Sequence, residues 1–241
     1  MNIQLEPLKS DSLKDVFVDR FEHLILSGKL SIGQRLPSER ELALQLGVSR
    51  PVVHEGLVEL AARGLVSMKP RWGTVVNDYR TEGSLALLNS LVNYHNGGLE
   101  SGLLDSMLEM RDLFEIETAG LAALRRTAEQ VTGLEEIVER EKTTDPGDAD
   151  TLTELDFQFH HLVAMASGNR LYPLLLNSFK EVYTNLSGQF FVRGDVADTV
   201  AGFHRDLLGA IRRQDEKRAR KIMKKMLDHG REHLLALADG V

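Results

Sequence analysis

Residues 36–76 read LPSERELALQLGVSRPVVHEGLVELAARGLVSMKPRWGTVV, and the fold turns on how this stretch divides. Ser38 followed three residues later by Glu41 predicts a capping box, which closes two orphan amides at a helix start. Leu42, Leu44 and Leu46 are the apolar contacts of that helix, and Gly47-Val48 breaks it. Ser49 is placed to cap a second helix. Pro51 is tolerated in its first turn because an amide there has no intrahelical acceptor. Val53, Leu57, Leu60 and Ala61 follow at helical spacing. Gly64 is expected to end the helix in the left-handed conformation. Leu65–Met68 and Thr74–Val76 predict two short strands around a basic tip, Lys69-Pro70-Arg71-Trp72-Gly73.

Two short helices, a tight turn and a two-stranded ribbon make a winged helix-turn-helix, whose second helix fits a major groove. Arg50 lies in the first turn of that helix, and arginine hydrogen-bonds guanine bidentately. Arg40 and Arg71 suit phosphates or the negative potential of a minor groove. Ser49 and Gly73 complete the expected DNA-facing set. An ordinary helical hairpin with solvated charges competes with this reading, but it does not explain why caps, turn and wing coincide.

Length and charge agree with a larger, soluble molecule. The chain has 241 residues, 27% charged and 42% hydrophobic, enough for two domains with cores of their own. It has no cysteine, which removes disulfides, thiolate catalysis and cysteine-bound zinc. The first residues lack the apolar core of a signal peptide. No stretch reaches the roughly 18 apolar residues of a membrane span. A cytoplasmic protein is expected. The net charge of −7 is unevenly placed. Residues 1–78 hold ten basic and ten acidic side chains, and residues 79–241 hold nineteen against twenty-six. A neutral domain with a basic face can bind DNA, because affinity follows the phosphates contacted.

Around the motif, Val16, Phe17, Arg20, Phe21, Leu24 and Ile25 predict a helix over 9–28. The polar run 77–84 marks a domain boundary, so residues 1–78 form the winged helix-turn-helix domain and 79–241 a second domain. Helical periodicity then continues at 83–95, ending at His95-Asn96-Gly97-Gly98. Further helices are expected at 103–126, 128–142, 149–167, 170–191, 195–213 and 215–238. The fold class is mainly α, with three helices and a small hairpin wing followed by an all-α bundle of six or seven helices.

Two constellations in the second domain carry chemistry. Asp156 and His160 are four apart, on a face with Leu152, Val163 and Ser167 that points inward. His204 lies in another apolar-periodic helix, and His229 and His233 are four apart in the last. An inward Asp–His pair is costly without a partner, and His and Asp from several helices build metal sites in bundles. The same spacing also fits a surface pair. Imidazole with carboxylate suits zinc, nickel or manganese alike. Arg111 and Glu115 are likewise four apart. They fit an intrahelical ion pair, or an inward arginine that grips a ligand carboxylate. No phosphate loop, Gly-x-Ser-x-Gly or HExxH occurs.

These residues resemble the GntR family of bacterial transcription regulators. LPSERELALQLGVSRPVVHEGLVELAARGLV with Arg71-Trp72-Gly73-Thr74-Val75-Val76 matches its N-terminal domain. Arg111 with Glu115, Asp156-x-x-x-His160, Ser167-Gly168-Asn169 and His204 resemble the FadR-type branch, whose effector domain is a helical bundle (the FCD domain). The resemblance implies a homodimer on a palindromic DNA operator, while the missing catalytic motifs and apolar spans predict no enzymatic activity and no membrane partner. It also implies a divalent metal on Asp156, His160, His204 and a later histidine, with a small carboxylic acid effector near Arg111. Along the last helix the family's usual histidine falls at about Met226. His229 comes three residues later, nearly one turn, and is the fourth candidate. His54 stands where the family often has arginine and joins the DNA-facing set. The run ELDFQFHHLVAMASGNRLYPLLLNSFKEVYTNLSGQFF, residues 154–191, also resembles the member that responds to acyl-CoA without metal, so an acyl-CoA or fatty-acid effector is the alternative. A metal-dependent bundle enzyme fused to a DNA-binding module is the distant one.

Overall fold

The computed structural model describes residues 12–94, 101–192 and 196–238. The chain forms two compact units, Met1–Tyr94 and His95–Val241.

In the first unit, helix α1 (Leu13–Leu26) is capped by Ser12, whose hydroxyl accepts from the Asp15 amide at 3.1 Å. It buries Phe17, Val18, Phe21, Glu22 and Ile25. The expected stripe is thus rotated slightly, because Val16 and Arg20 face solvent. Helix α2 (Glu39–Leu46) carries the capping box of Ser38 and Glu41 and ends at Gly47, whose φ is +66°. It buries Leu42, whereas Leu44 is exposed rather than an apolar contact. Helix α3 (Arg50–Ala62) starts after Ser49. That residue has the extended backbone of a cap, but its side chain makes no capping hydrogen bond. Gly64 follows with φ +81°, as its position at the helix end predicts.

Strands β1 (Val66–Lys69) and β2 (Gly73–Val76) pair antiparallel, with Val66 opposite Val76 and Lys69 opposite Gly73. At the tip Arg71 and Gly73 both have positive φ, and the Trp72 amide donates to the Lys69 carbonyl at 3.0 Å. Phe17, Phe21, Leu42, Val53, Leu57, Leu60, Leu65 and Val76 share one core.

The expected polar boundary forms a single turn, α4 (Tyr79–Glu82), capped by Asp78. Helix α5 (Leu87–Tyr94) then packs on the first unit, and the compact units divide after Tyr94. The physical reason is local. Leu87 enters the first core, and the Ser90 hydroxyl donates to the buried Glu22 at 2.7 Å. The helix end expected at His95–Gly98 lies outside the described residues.

The second unit has seven helices among the described residues: α6 (Ser101–Arg125), α7 (Ala128–Thr143), α8 (Ala149–Ala166), α9 (Tyr172–Ser178), α10 (Lys180–Phe191), α11 (Ala197–Arg212) and α12 (Glu216–Ala238). Where the periodicity predicts one helix over 170–191, two occur, separated at Phe179, whose φ and ψ of −102° and 2° leave the helical region. Ala119, Ala122 and Ala123 on α6 present a small-residue face, which lets α12 and α8 approach closely. Leu134, Leu155, Phe159, Val163, Leu207, Ile211 and Met223 fill the space between. No described helix is long and apolar enough to cross a membrane.

Candidate DNA-binding surface and metal centre

Four of the six residues expected to face DNA line one concave surface. Arg40 from α2, Arg50 from α3 and Lys69, Arg71 and Gly73 from the wing line a concavity of about 590 Å³. Arg40, Ser49, Arg50, His54, Arg71 and Gly73 are all exposed. Ser49 and His54 are not among the concavity's walls, but His54 is joined to it through Glu39. One Glu39 oxygen accepts from Arg50 Nε at 3.1 Å, and the other lies 2.8 Å from His54 Nδ1. Sequence reasoning passed over Glu39, because a glutamate at a helix start is accounted for by the helix dipole alone.

In the second unit, α8 and α11 bring Asp156, His160 and His204 together, with one ligand atom of each within 4.8 Å of the others. All three are buried. Their remaining polar atoms are already engaged. His160 Nδ1 sits against Glu115 of α6, and His204 Nδ1 lies 2.7 Å from Glu141 of α7. Asp156 Oδ2 accepts from Tyr183 at 2.7 Å and from Ser187 at 3.3 Å. What is left are two Nε2 atoms and Asp156 Oδ1, at 3.8 Å for His160 and 3.6 Å for His204. Those distances are too long for hydrogen bonds.

This arrangement fits a divalent metal. His204 Nε2 is buried with no hydrogen-bond partner among the described residues, a costly state for a polar atom. Metal-binding imidazoles usually turn their second nitrogen to a carboxylate, and here each Nδ1 lies against one. The sequence hides these carboxylates. Glu141 is one of several glutamates on α7, and Glu115 reads as the partner of Arg111. The His204 ring also stacks on Phe159, with centroids 3.9 Å apart, which fixes its plane.

His229, on α12, lines a small cavity of about 40 Å³ with Asp156, His160, Arg111 and Tyr183, and Met226 lines it too. His229 is not in the converging set of ligand atoms. It packs against His233, Phe190 and Phe203.

Arg111 forms the ion pair that its spacing allows, and its side chain is also turned inward. It pairs with Glu115 at 2.5 Å, and it points inward, its guanidinium 4.6 Å from the Tyr183 ring centroid. Burial alone would raise the Glu115 carboxyl, but Arg111 and His160 outweigh it and hold the group at about 2. Burial disfavours the charged His160, and Glu115 with Asp156 reverses this, so its pKa is raised. Burial and the neighbouring Asp156 push the Tyr183 hydroxyl well above its ordinary range. Arg111 and Tyr183 also wall a second cavity, of about 550 Å³, lined by Met107, Met110, Phe114 and Phe179.

A family model described as "Bacterial regulatory proteins, gntR family" matches residues 13–76, and one described as "FCD domain" matches residues 106–229. The HTH-type transcriptional regulator Mce2R of Mycobacterium tuberculosis is 30% identical over 97% of this chain and 96% of its own. A fatty acid metabolism regulator protein of Shewanella denitrificans is 30% identical over 76% of this chain and 74% of its own. Among solved structures, Lar of Listeria monocytogenes shares the fold at TM-score 0.66 and 17% identity, over 95% of this chain and 100% of that one. The matching families and relatives are regulators, which sets aside the bundle-enzyme alternative. The chain therefore belongs to the GntR family of bacterial transcription regulators, with a DNA-binding helix-turn-helix unit followed by an FCD domain.

Proposed function

We propose that the protein is a cytoplasmic, homodimeric regulator that binds a palindromic operator and responds to a small carboxylic acid held beside a divalent metal. The observation carrying this reading is the convergence of Asp156 Oδ1, His160 Nε2 and His204 Nε2, each on a side chain whose other polar atom is engaged. Asp156, His160 and His204 hold the metal, with His229 as a further candidate from the cavity wall. When bound, the metal supplies positive charge for an effector carboxylate. Glu115 and Glu141 orient the two imidazoles, and Arg111 adds a guanidinium that matches a carboxylate bidentately. Arg40, Ser49, Arg50, His54, Arg71 and Gly73 face the DNA. The effector acts by binding one operator-competent arrangement better than another, since only differential affinity shifts an equilibrium.

Elemental analysis of protein purified without chelator tests the metal. Stoichiometric zinc, nickel or manganese in the wild type and its loss in His160→Ala are expected; a metal-free wild type that takes up none on dialysis sinks the reading. Arg50→Ala is expected to abolish specific operator binding while leaving a dimer in solution.

A second reading has its own support. The cavity of about 550 Å³ is lined mainly by apolar side chains and shares Arg111 with the metal residues, and it has room for an acyl chain. One relative is named a fatty acid metabolism regulator. Binding of decanoyl-CoA to chelator-treated protein, with no competition by small dicarboxylates, would favour this reading over the first.

A further inference from the structure

Glu39 is the one acidic side chain among the residues lining the concavity that holds Arg40, Arg50, Lys69 and Arg71. A carboxylate here opposes phosphate binding, which depends on cations displacing counterions. Its position compensates for that cost. It comes from the first turn of α2, and each of its oxygens holds one side chain of α3: Arg50 Nε at 3.1 Å and His54 Nδ1 at 2.8 Å. Arg50 and His54 are four apart on α3, so they share its outward face. Their side chains are 70% and 55% exposed, and Glu39 is 22% exposed. Long exposed side chains carry rotamer entropy that must be lost on binding, and fixing them beforehand lowers that loss.

The bonds leave the useful ends of both residues outward. Arg50 gives Glu39 only Nε, so its two terminal nitrogens are left to reach a guanine edge. A carboxylate at His54 Nδ1 selects the tautomer with its proton there. Neutral His54 then presents Nε2 as an acceptor, suited to the amino group of cytosine or adenine.

We propose that Glu39 is a positioning residue for base recognition, fixing Arg50 and His54 in the conformations that read the operator at some expense in general DNA affinity. This rests on the reading that Arg50 meets base edges. The test uses a duplex selected by the wild-type protein from a randomised pool, and a scrambled duplex of equal length and composition. Glu39→Gln is expected to lower the ratio of specific to scrambled affinity by about tenfold, the order of one weakened base contact. Affinity for the scrambled duplex should hold or rise, because a negative charge has been removed. Glu39→Asp keeps the charge and is too short to bridge both partners; it should lose the ratio without that rise. In Glu39→Gln/Arg50→Ala, the two losses should be less than additive.

A merely structural Glu39 would lower both affinities together, and a Glu39 that restrains Arg50 from DNA would raise both; either result overturns the proposal, as does an unchanged ratio. The underlying reading fails separately, if Arg50→Ala alone leaves the ratio unchanged.

Discussion

Gly64 joins α3 to the wing with φ +81°, a conformation that side chains rarely adopt, and a Cβ there would lie 2.0 Å from the Glu82 carbonyl oxygen. The left-handed backbone alone disfavours alanine by about 1–2 kcal/mol. The clash is with backbone, which cannot rotate away. Gly64→Ala is therefore expected to destabilise the first unit by more than about 2 kcal/mol in urea unfolding. A loss of a few tenths would mean that α4 moves aside freely. Trp72 offers a complementary test at the wing tip. It is the chain's only tryptophan, is 73% exposed and directly follows Arg71, at a tip that faces DNA in the proposed reading. Fluorescence should therefore report this position alone. Saturating operator duplex is expected to shift or quench the emission, and salt that dissociates the duplex should restore it. An emission spectrum unmoved by saturating duplex would place the wing tip away from the nucleic acid.

At the scale of elements, helix propensity and packing oppose each other at Gly56. Alanine there would stabilise an isolated α3 by up to about 1 kcal/mol. In the folded unit, however, a Cβ would meet the Phe17 ring at 2.3 Å, and that ring is buried and stacked on Phe21 at 4.4 Å. Overpacking a filled core costs about 1–3 kcal/mol, so packing wins. Gly56→Ala should lower the melting temperature of the first unit even as it raises the helicity of a peptide spanning residues 49–64. A raised melting temperature would show that α1 yields easily. The contrast explains which parts of the fold were readable from sequence. Capping box, turn and wing are encoded by neighbours a few residues apart, so they were legible. The break at Phe179 and the docking of α5 were not. The break carries no glycine or proline at Phe179 itself, and the docking depends on Ser90 meeting Glu22 across 68 positions of sequence.

Across the whole molecule, the candidate metal centre was legible only in its inner ring. Asp156 and His160 announce themselves by spacing, and His204 by lying in an apolar stripe. Glu141, which orients His204, looks like any solvated glutamate of α7 until the helices assemble and bury it. The centre draws on α6, α7, α8 and α11, so a metal bound there ties four helices together. A ligand that binds only the folded state stabilises it by about 2.7 kcal/mol at a hundredfold excess over Kd. For a unit of this size, that corresponds to a rise of roughly 5–10 °C in melting temperature. Scanning calorimetry of chelator-treated protein should thus show the bundle's transition rising on addition of zinc, nickel or manganese and returning with chelator. Asp156→Asn should abolish the rise. Glu141→Gln should keep it but require about 10- to 100-fold more metal, because losing a carboxylate behind the imidazole weakens binding without removing a ligand. If Glu141→Gln titrates like the wild type, the 2.7 Å contact with His204 has no part in holding metal. If no metal moves the transition in the wild type, the converging atoms do not hold a metal.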